Sequence, residues 1–202
     1  YYTLWAHQIK TPIASMRLTF ENNDEPISRA ILSDLFRIEQ YVDMVLSFLR
    51  LDSSYNDYVF KEYDVSFIVS KAVKKFANEF IVRKIALDFH VEKRMIITDE
   101  KWFSIVIEQV LSNALKYTPK GKISAYILND ELVIEDTGIG IAKSELNRIF
   151  EKGYTGYNGR SEGRASGIGL YLSKQICNRL GLKIRAESQI DAGKKIFINL
   201  MQ

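Results

Sequence analysis

IEDTGIGIA, residues 134–142, is an apolar run that ends in a carboxylate, Asp136, and gives way at once to Gly138 and Gly140. Glycine lets another group approach the backbone closely, and a carboxylate at the end of a strand accepts hydrogen bonds from an amino group. A Gly-x-Gly pair also makes ordinary turns, so its meaning depends on what flanks it. Upstream, IEQVLSNALKYTP (107–119) has helical spacing: Ile107, Val110, Leu111 and Ala114 form an apolar stripe, while Glu108, Asn113 and Lys116 line one broad polar side. That side faces either a ligand or solvent. Downstream, in GRASGIGLYLSKQI (163–176), Gly167 and Gly169 open a helix carrying Leu170, Leu172 and Ile176. Glycines at a helix start expose backbone donors and the positive end of the dipole, which suits a polyphosphate.

Between these segments, FEKGYTGYNGRSEGRASG (150–167) is polar, rich in glycine and poor in apolar anchors. A loop of that length is either disordered or a lid that closes over a ligand; the lid is the expectation here, with Arg160 and Arg164 either reaching phosphate oxygens or carrying surface charge. Short apolar runs, IALDFHV (85–91), KISAYIL (122–128), LKIRAES (182–188) and KIFINL (195–200), predict a mixed sheet covered by helices, an α+β arrangement. His90 falls inside one of these strands and has no partner pattern.

The N-terminal quarter has a different period. Ile31, Leu35, Ile38, Val42, Val45 and Leu49 recur in alternating steps of four and three, and Trp5, Ile9, Ile13, Met16 and Phe20 make a matching stripe. ENNDEP (21–26) separates them with turn and helix-start residues. The expectation is a helical hairpin too small to close its own core, completed as a four-helix bundle by a homodimer. Within WAHQIKTPIASM (5–16), His7 lies roughly 200° from Trp5 and Ile9, on the face shared with Lys10 and Thr11, and Pro12 predicts a bend. An outward, neutral imidazole leaves one ring nitrogen available as a nucleophile.

The totals narrow the function classes. The chain has 202 residues, 47% hydrophobic and 26% charged, with a formal net charge of +3. That suits two folded units, and basic residues interleaved with acidic ones argue against a nucleic-acid surface. A single cysteine, Cys177, rules out an intrachain disulfide and a cysteine-bound zinc. No apolar run is long enough to span a bilayer, there is no signal-peptide pattern, and the start inside a patterned segment is expected of a fragment.

Taken in order, AHQIKTPI (6–13), EQVLSNALKYT (108–118), EDTGIGI (135–141), RIFEKGY (148–154) and GIGLYL (167–172) resemble the H, N, first glycine, F and second glycine boxes of the bacterial sensor histidine kinases. The wording around the histidine also resembles kinases that answer cell-envelope stress or antimicrobial peptides. The resemblance implies a dimerisation and phosphotransfer hairpin over 1–52 and an α/β sandwich of the Bergerat (GHKL) ATP-binding type over 53–202, with a hinge near Leu51 to Tyr58. His7 would be the phosphoacceptor, with Gln8, Thr11 and Glu108 beside it in the catalytic set. Asp136 would hold the adenine amino group and the backbone at Gly138 and Gly140 the base. Asn113 would ligate Mg²⁺, Lys116 and Tyr117 would contact ATP, and the turn at Gly167, Gly169 and Leu170 would hold the phosphates. Thr11 would position water when the partner is dephosphorylated. The implied partners are a second copy of the chain, ATP, and a response regulator that takes the phosphoryl group on an aspartate. The implied setting is the cytoplasmic domain of a bacterial membrane protein. One departure stands out: many members carry Glu or Asp directly after the histidine, and here Gln8 cannot accept a proton at neutral pH. It implies slower transfer, and leaves as the alternative an ATP-binding regulatory module with negligible kinase activity.

Overall fold

The computed structural model describes residues 2–21, 25–52, 58–156 and 166–201, and its side-chain description leaves out residues 2–7, 26 and 52. The direction of the His7 side chain, most of the expected hinge, and the expected lid arginines Arg160 and Arg164 therefore lie outside the described residues. The chain divides into two compact units, Tyr1–Asp57 and Tyr58–Gln202.

The first unit is a helical hairpin of α1 (Tyr2–Glu21) and α2 (Pro26–Asp52). Proline at the first position of α2 sets the backbone angle of a helix start and has no amide hydrogen to leave unpaired. Pro12 lies inside α1, which continues on both sides of it. Ile13, Leu35, Met44 and Leu51 are buried in the hairpin. Lys10 pairs with Asp43 at 2.5 Å and Arg17 with Glu39 at 3.2 Å across the two helices. Such exposed pairs contribute at most about 1 kcal/mol each, so they set register more than stability. The apolar stripe expected on α2 is divided. Leu35 is buried, whereas Ile38 is 46% and Val45 45% exposed. Met44, outside the expected stripe, is buried instead. One neighbouring helix covers only part of α2's apolar circumference, so the remainder faces outward.

The second unit is a five-stranded sheet under a helical layer. Its strands are β2 (Ile85–His90), β4 (Gly121–Leu128), β5 (Glu131–Asp136), β6 (Lys183–Gln189) and β7 (Gly193–Asn199), in the order β2-β4-β5-β7-β6. β2 runs parallel to β4 and every other pairing is antiparallel, giving the mixed sheet that the sequence predicts. A separate antiparallel pair joins β1 (Lys61–Asp64) to β3 (Met95–Thr98). Over the sheet lie α3 (Val65–Lys75), α5 (Glu100–Tyr117) and α7 (Gly169–Arg179), with α5 packed on both of the others. Two short helices, α4 (Ala77–Arg83) and α6 (Lys143–Leu146), also lie among the described residues of the unit.

Phe103, Val106, Ile107 and Leu111 of α5 and Leu172, Ile176 and Cys177 of α7 are fully buried against Ile123, Leu132, Ile134, Ile196 and Ile198 of the sheet. Each such large side chain contributes about 1.5–3 kcal/mol through removal from water. The helix starts are fixed by carboxylates. Asp99 accepts from the Trp102 amide at 3.0 Å and from the Val59 amide at 2.8 Å, pinning the first residues of the unit to α5. Asp64 caps α3, accepting from the Ser66 amide at 3.0 Å and hydroxyl at 2.9 Å, and from the Arg94 amide at 3.2 Å. His90 sits at the end of β2, exposed, 2.7 Å from Asp88.

Candidate functional site

Asp136 is the last residue of β5, and its side chain is 2% exposed. Its Oδ1 accepts from the Gly138 amide at 3.0 Å, and its Oδ2 lies 2.8 Å from Nζ of Lys194. Strand pairing makes this contact, because Lys194 stands directly opposite Asp136 in the β5–β7 register. The Lys194 ammonium also donates to the Asn113 carbonyl at 3.5 Å and lies 5.3 Å from the centre of the Tyr117 ring. Removing one partner of a buried pair leaves a bare charge, at a cost of about 3–5 kcal/mol, so each depends on the other.

The turn after Asp136 is stitched into the surrounding backbone. The Ile139 amide donates to the Tyr117 carbonyl at 3.1 Å, the Asp191 amide to the Ile139 carbonyl at 2.9 Å, and the Ile141 amide to Ser188 Oγ at 2.8 Å. The glycines are needed for these crossings. A Cβ on Gly138 would sit 2.2 Å from the Tyr117 carbonyl oxygen, and one on Gly140, whose φ is +68°, would sit 1.9 Å from that of Gln189. The close approach anticipated for a ligand is thus made here by the chain's own backbone, which fixes the turn beside Asp136.

At the start of α7, a Cβ on Gly169 would meet Oε1 of Gln109 at 2.7 Å and Nδ2 of Asn113 at 3.8 Å. Two amide side chains of α5 therefore border the first turn of α7. No side chain of the residue preceding α7 caps it; Ser166 Oγ accepts from the Ile168 amide at 3.3 Å, and amides of the first turn have no carbonyl partner within the helix. An uncapped helix start bordered by neutral amides favours an anion. The Gly153 amide donates to the Gly167 carbonyl at 3.0 Å, joining the two ends of the segment between them.

The donor chemistry also fits a hard cation. Among the described residues there is no cluster of three or more histidine, cysteine or carboxylate side chains, so nothing here resembles a zinc or calcium cage. The side-chain amide of Asn113, partly exposed beside the α7 start, carries a carbonyl oxygen, a hard donor of the kind that suits Mg²⁺.

Asn113, Tyr117, Asp136 and Gly138 thus converge around Lys194, Gly140 lies in the stitched turn, and Gly167, Gly169 and Leu170 form the entry to α7 beside Asn113. The Lys116 ammonium lies 5.0 Å from the centre of the same Tyr117 ring. Glu108 instead reaches α3, where it pairs with Lys75 at 2.7 Å. His7, Gln8 and Thr11 are on α1 in the first unit, with Gln8 and Thr11 exposed. Sequence reasoning missed Lys194 and Gln109. The signal for Lys194 was its place on the same strand face as the buried Ile196 and Ile198. That for Gln109 was its position one turn before Asn113 on the same helix side.

Residues 98–202 match the family model described as "Histidine kinase-, DNA gyrase B-, and HSP90-like ATPase". Sensor histidine kinase GraS of Staphylococcus epidermidis is 33% identical over 202 residues, covering 96% of this chain and 58% of the relative. Sensor histidine kinase YxdK of Bacillus subtilis is 31% identical over 204 residues, covering 97% of this chain and 62% of the relative. The chain thus spans about three fifths of the length of these curated relatives. Two solved structures share the fold. ShkA, determined at full length in complex with AMPPNP, has a TM-score of 0.70 at 18% identity, over 98% of this chain and 44% of that one. The Acinetobacter baumannii histidine kinase AdeS has a TM-score of 0.63 at 19% identity, over 97% of this chain and 98% of that one. With a family model matched over more than half its length, the chain belongs to the histidine kinase-, DNA gyrase B- and HSP90-like ATPase family.

Proposed function

We propose that the chain is the kinase core of a sensor histidine kinase, in which the second unit binds ATP and the hairpin carries the phosphoacceptor His7. The observation that carries this reading is the convergence of Asp136, Asn113, Tyr117 and the open start of α7 in a unit of the ATPase family, in a chain whose separate helical hairpin bears a histidine. In this reading residues 1–52 are the dimerisation and phosphotransfer domain and 53–202 the ATP-binding domain.

Asp136 accepts from the exocyclic amino group of adenine, and the fixed backbone at Gly138 and Gly140 borders the base. Tyr117 and Lys116 contact the nucleotide, and the amides at Gly167, Gly169 and Leu170 receive the phosphates. Asn113 would hold Mg²⁺, which when bound would neutralise charge on the phosphates. The unprotonated ring nitrogen of His7 attacks the γ-phosphorus, the bond from that phosphorus to the β–γ bridging oxygen breaks, and ADP leaves with the electron pair. Catalysis here is chiefly positioning and charge neutralisation.

The partners follow from the same reading. The exposed faces at Ile38 and Val45 pair with a second copy to form a four-helix bundle, and a response regulator accepts the phosphoryl group on an aspartate. Thr11, exposed on α1 one turn after His7, positions the water that hydrolyses the aspartyl phosphate when the partner is dephosphorylated. No described helix is long and apolar enough to cross a membrane. In this reading the chain is the cytoplasmic part of a membrane sensor, and the wording of residues 6–13, which resembles that of kinases answering cell-envelope stress, supports such a stimulus.

Incubation with γ-labelled ATP tests the reading. Label that is lost in acid and stable in base, as a phosphoramidate is, supports it, and Gln8→Glu then raises the initial rate by about tenfold or more by supplying a base. Absence of label despite ATP binding favours the regulatory module, and label stable in acid places the phosphoryl group on a hydroxyl.

A further inference from the structure

Lys194 is the one charged side chain on a strand face otherwise formed by Ile196 and Ile198, and it is 4% exposed. A buried ion pair adds little net stability over apolar residues of similar volume, so packing alone gives no reason for it. Its surroundings give one. Its Nζ lies 2.8 Å from Oδ2 of Asp136, 3.5 Å from the Asn113 carbonyl oxygen and 5.3 Å from the centre of the Tyr117 ring. Asp136 keeps acceptor capacity after the Gly138 amide and Lys194 are counted, because each carboxylate oxygen has two lone pairs. Acceptor and donor are therefore held side by side next to an aromatic ring.

We infer that Lys194 is a base-contacting residue: while Asp136 accepts from the exocyclic N–H of adenine, the Lys194 ammonium donates to the neighbouring ring nitrogen, N1. The inference rests on the proposed nucleotide reading and deepens it. The Watson–Crick edge of adenine places an N–H donor beside a ring acceptor, the complement of a carboxylate beside an ammonium, and Tyr117 offers the planar ring a surface to lie against. The β5–β7 register delivers the donor to that place, and the stitched glycine turn keeps the carboxylate from rotating away.

Titration calorimetry on the full chain with ATP and with 1-deaza-ATP, in which N1 is replaced by C–H, isolates this contact. The wild-type protein binds ATP about tenfold more tightly than 1-deaza-ATP, the size of one hydrogen bond to a charged group. Lys194→Met brings the two affinities within about twofold, chiefly by weakening ATP, and Lys194→Gln, which keeps an N–H donor, retains a preference for ATP. Equal wild-type affinities overturn the inference without recourse to any variant, so it remains testable if Lys194→Met does not fold. An undiminished preference in Lys194→Met overturns it as well. If the wild-type protein binds neither nucleotide, the nucleotide reading itself falls, and the inference with it.

Discussion

The two units close their cores to different degrees. In the second, the facing surfaces of α5, α7 and the sheet meet with Phe103, Ile107, Leu111, Leu172, Ile176, Ile134, Ile196 and Ile198 all sealed from water. In the first, Ile38 and Val45 face outward although they continue the stripe that buries Leu35. A sheet with a helical layer presents two broad surfaces that cover one another, whereas two helices share one seam and leave the rest of their apolar circumference open. The second unit therefore covers its own core, and in the proposed reading a second copy completes the first. That division suits a protein in which one part binds a nucleotide in a fixed site and the other presents a phosphoacceptor.

Changing both Ile38 and Val45 to Asp has the largest expected effect. Each apolar side chain buried in the bundle contributes about 1.5–3 kcal/mol, and the twofold symmetry doubles the loss. Light scattering reports a dimer for the wild type and a monomer for the double variant. Cys177 shows whether the damage spreads: burial pushes its thiol up to about 12, so it stays unreactive towards thiol reagents at neutral pH until the second unit opens. The double variant leaves that protection intact. Gly140→Ala does the reverse. The added Cβ would meet the Gln189 carbonyl oxygen at 1.9 Å in a left-handed backbone conformation, so the second unit loses about 1–3 kcal/mol and Cys177 reacts faster, with the dimer unaffected. A dimer lost in Gly140→Ala, or Cys177 exposed in the double variant, would break the comparison.

The smallest effect belongs to Asp64. Burial raises its pKa, but hydrogen bonds from the Ser66 hydroxyl and amide and from the Arg94 amide outweigh that and hold it below the ordinary value of 3.8. A depressed carboxylate contributes stability that is fully present above its unfolded pKa and lost as pH falls through the folded one. Asp64→Ala therefore lowers the stability of the second unit by about 1 kcal/mol at pH 7, as loss of a helix cap does. Denaturant melts of variant and wild type converge as the pH is taken from 5 down through 3.8 and below. A gap unchanged over that range contradicts the cap assignment.

The sequence made the periodic elements and the order of the motifs readable, because both depend on near neighbours. The seam of α1 with α2 was legible at Ile13 and Leu35, but which half of the stripe the hairpin itself would cover was not, since that depends on the rotation of one helix against the other. The roles of the glycines were legible only as closeness to something, and the structure supplies what it is: the carbonyls of Tyr117 and Gln189. Lys194 escaped notice because its partner, Asp136, is far away in the chain and meets it only through the β5–β7 register. The β1–β3 pair escaped for a related reason, each strand being too short to show an alternation of its own.

In the proposed kinase core one unit holds ATP while His7, in the other, receives its γ-phosphoryl group. Measuring ATP affinity by calorimetry and phosphate incorporation by intact-mass spectrometry on the same preparations of wild type and His7→Ala tests it most directly. His7→Ala is expected to abolish the added phosphate and to leave ATP affinity unchanged within about twofold. Phosphate that persists in His7→Ala, or ATP binding lost along with it, would contradict the account.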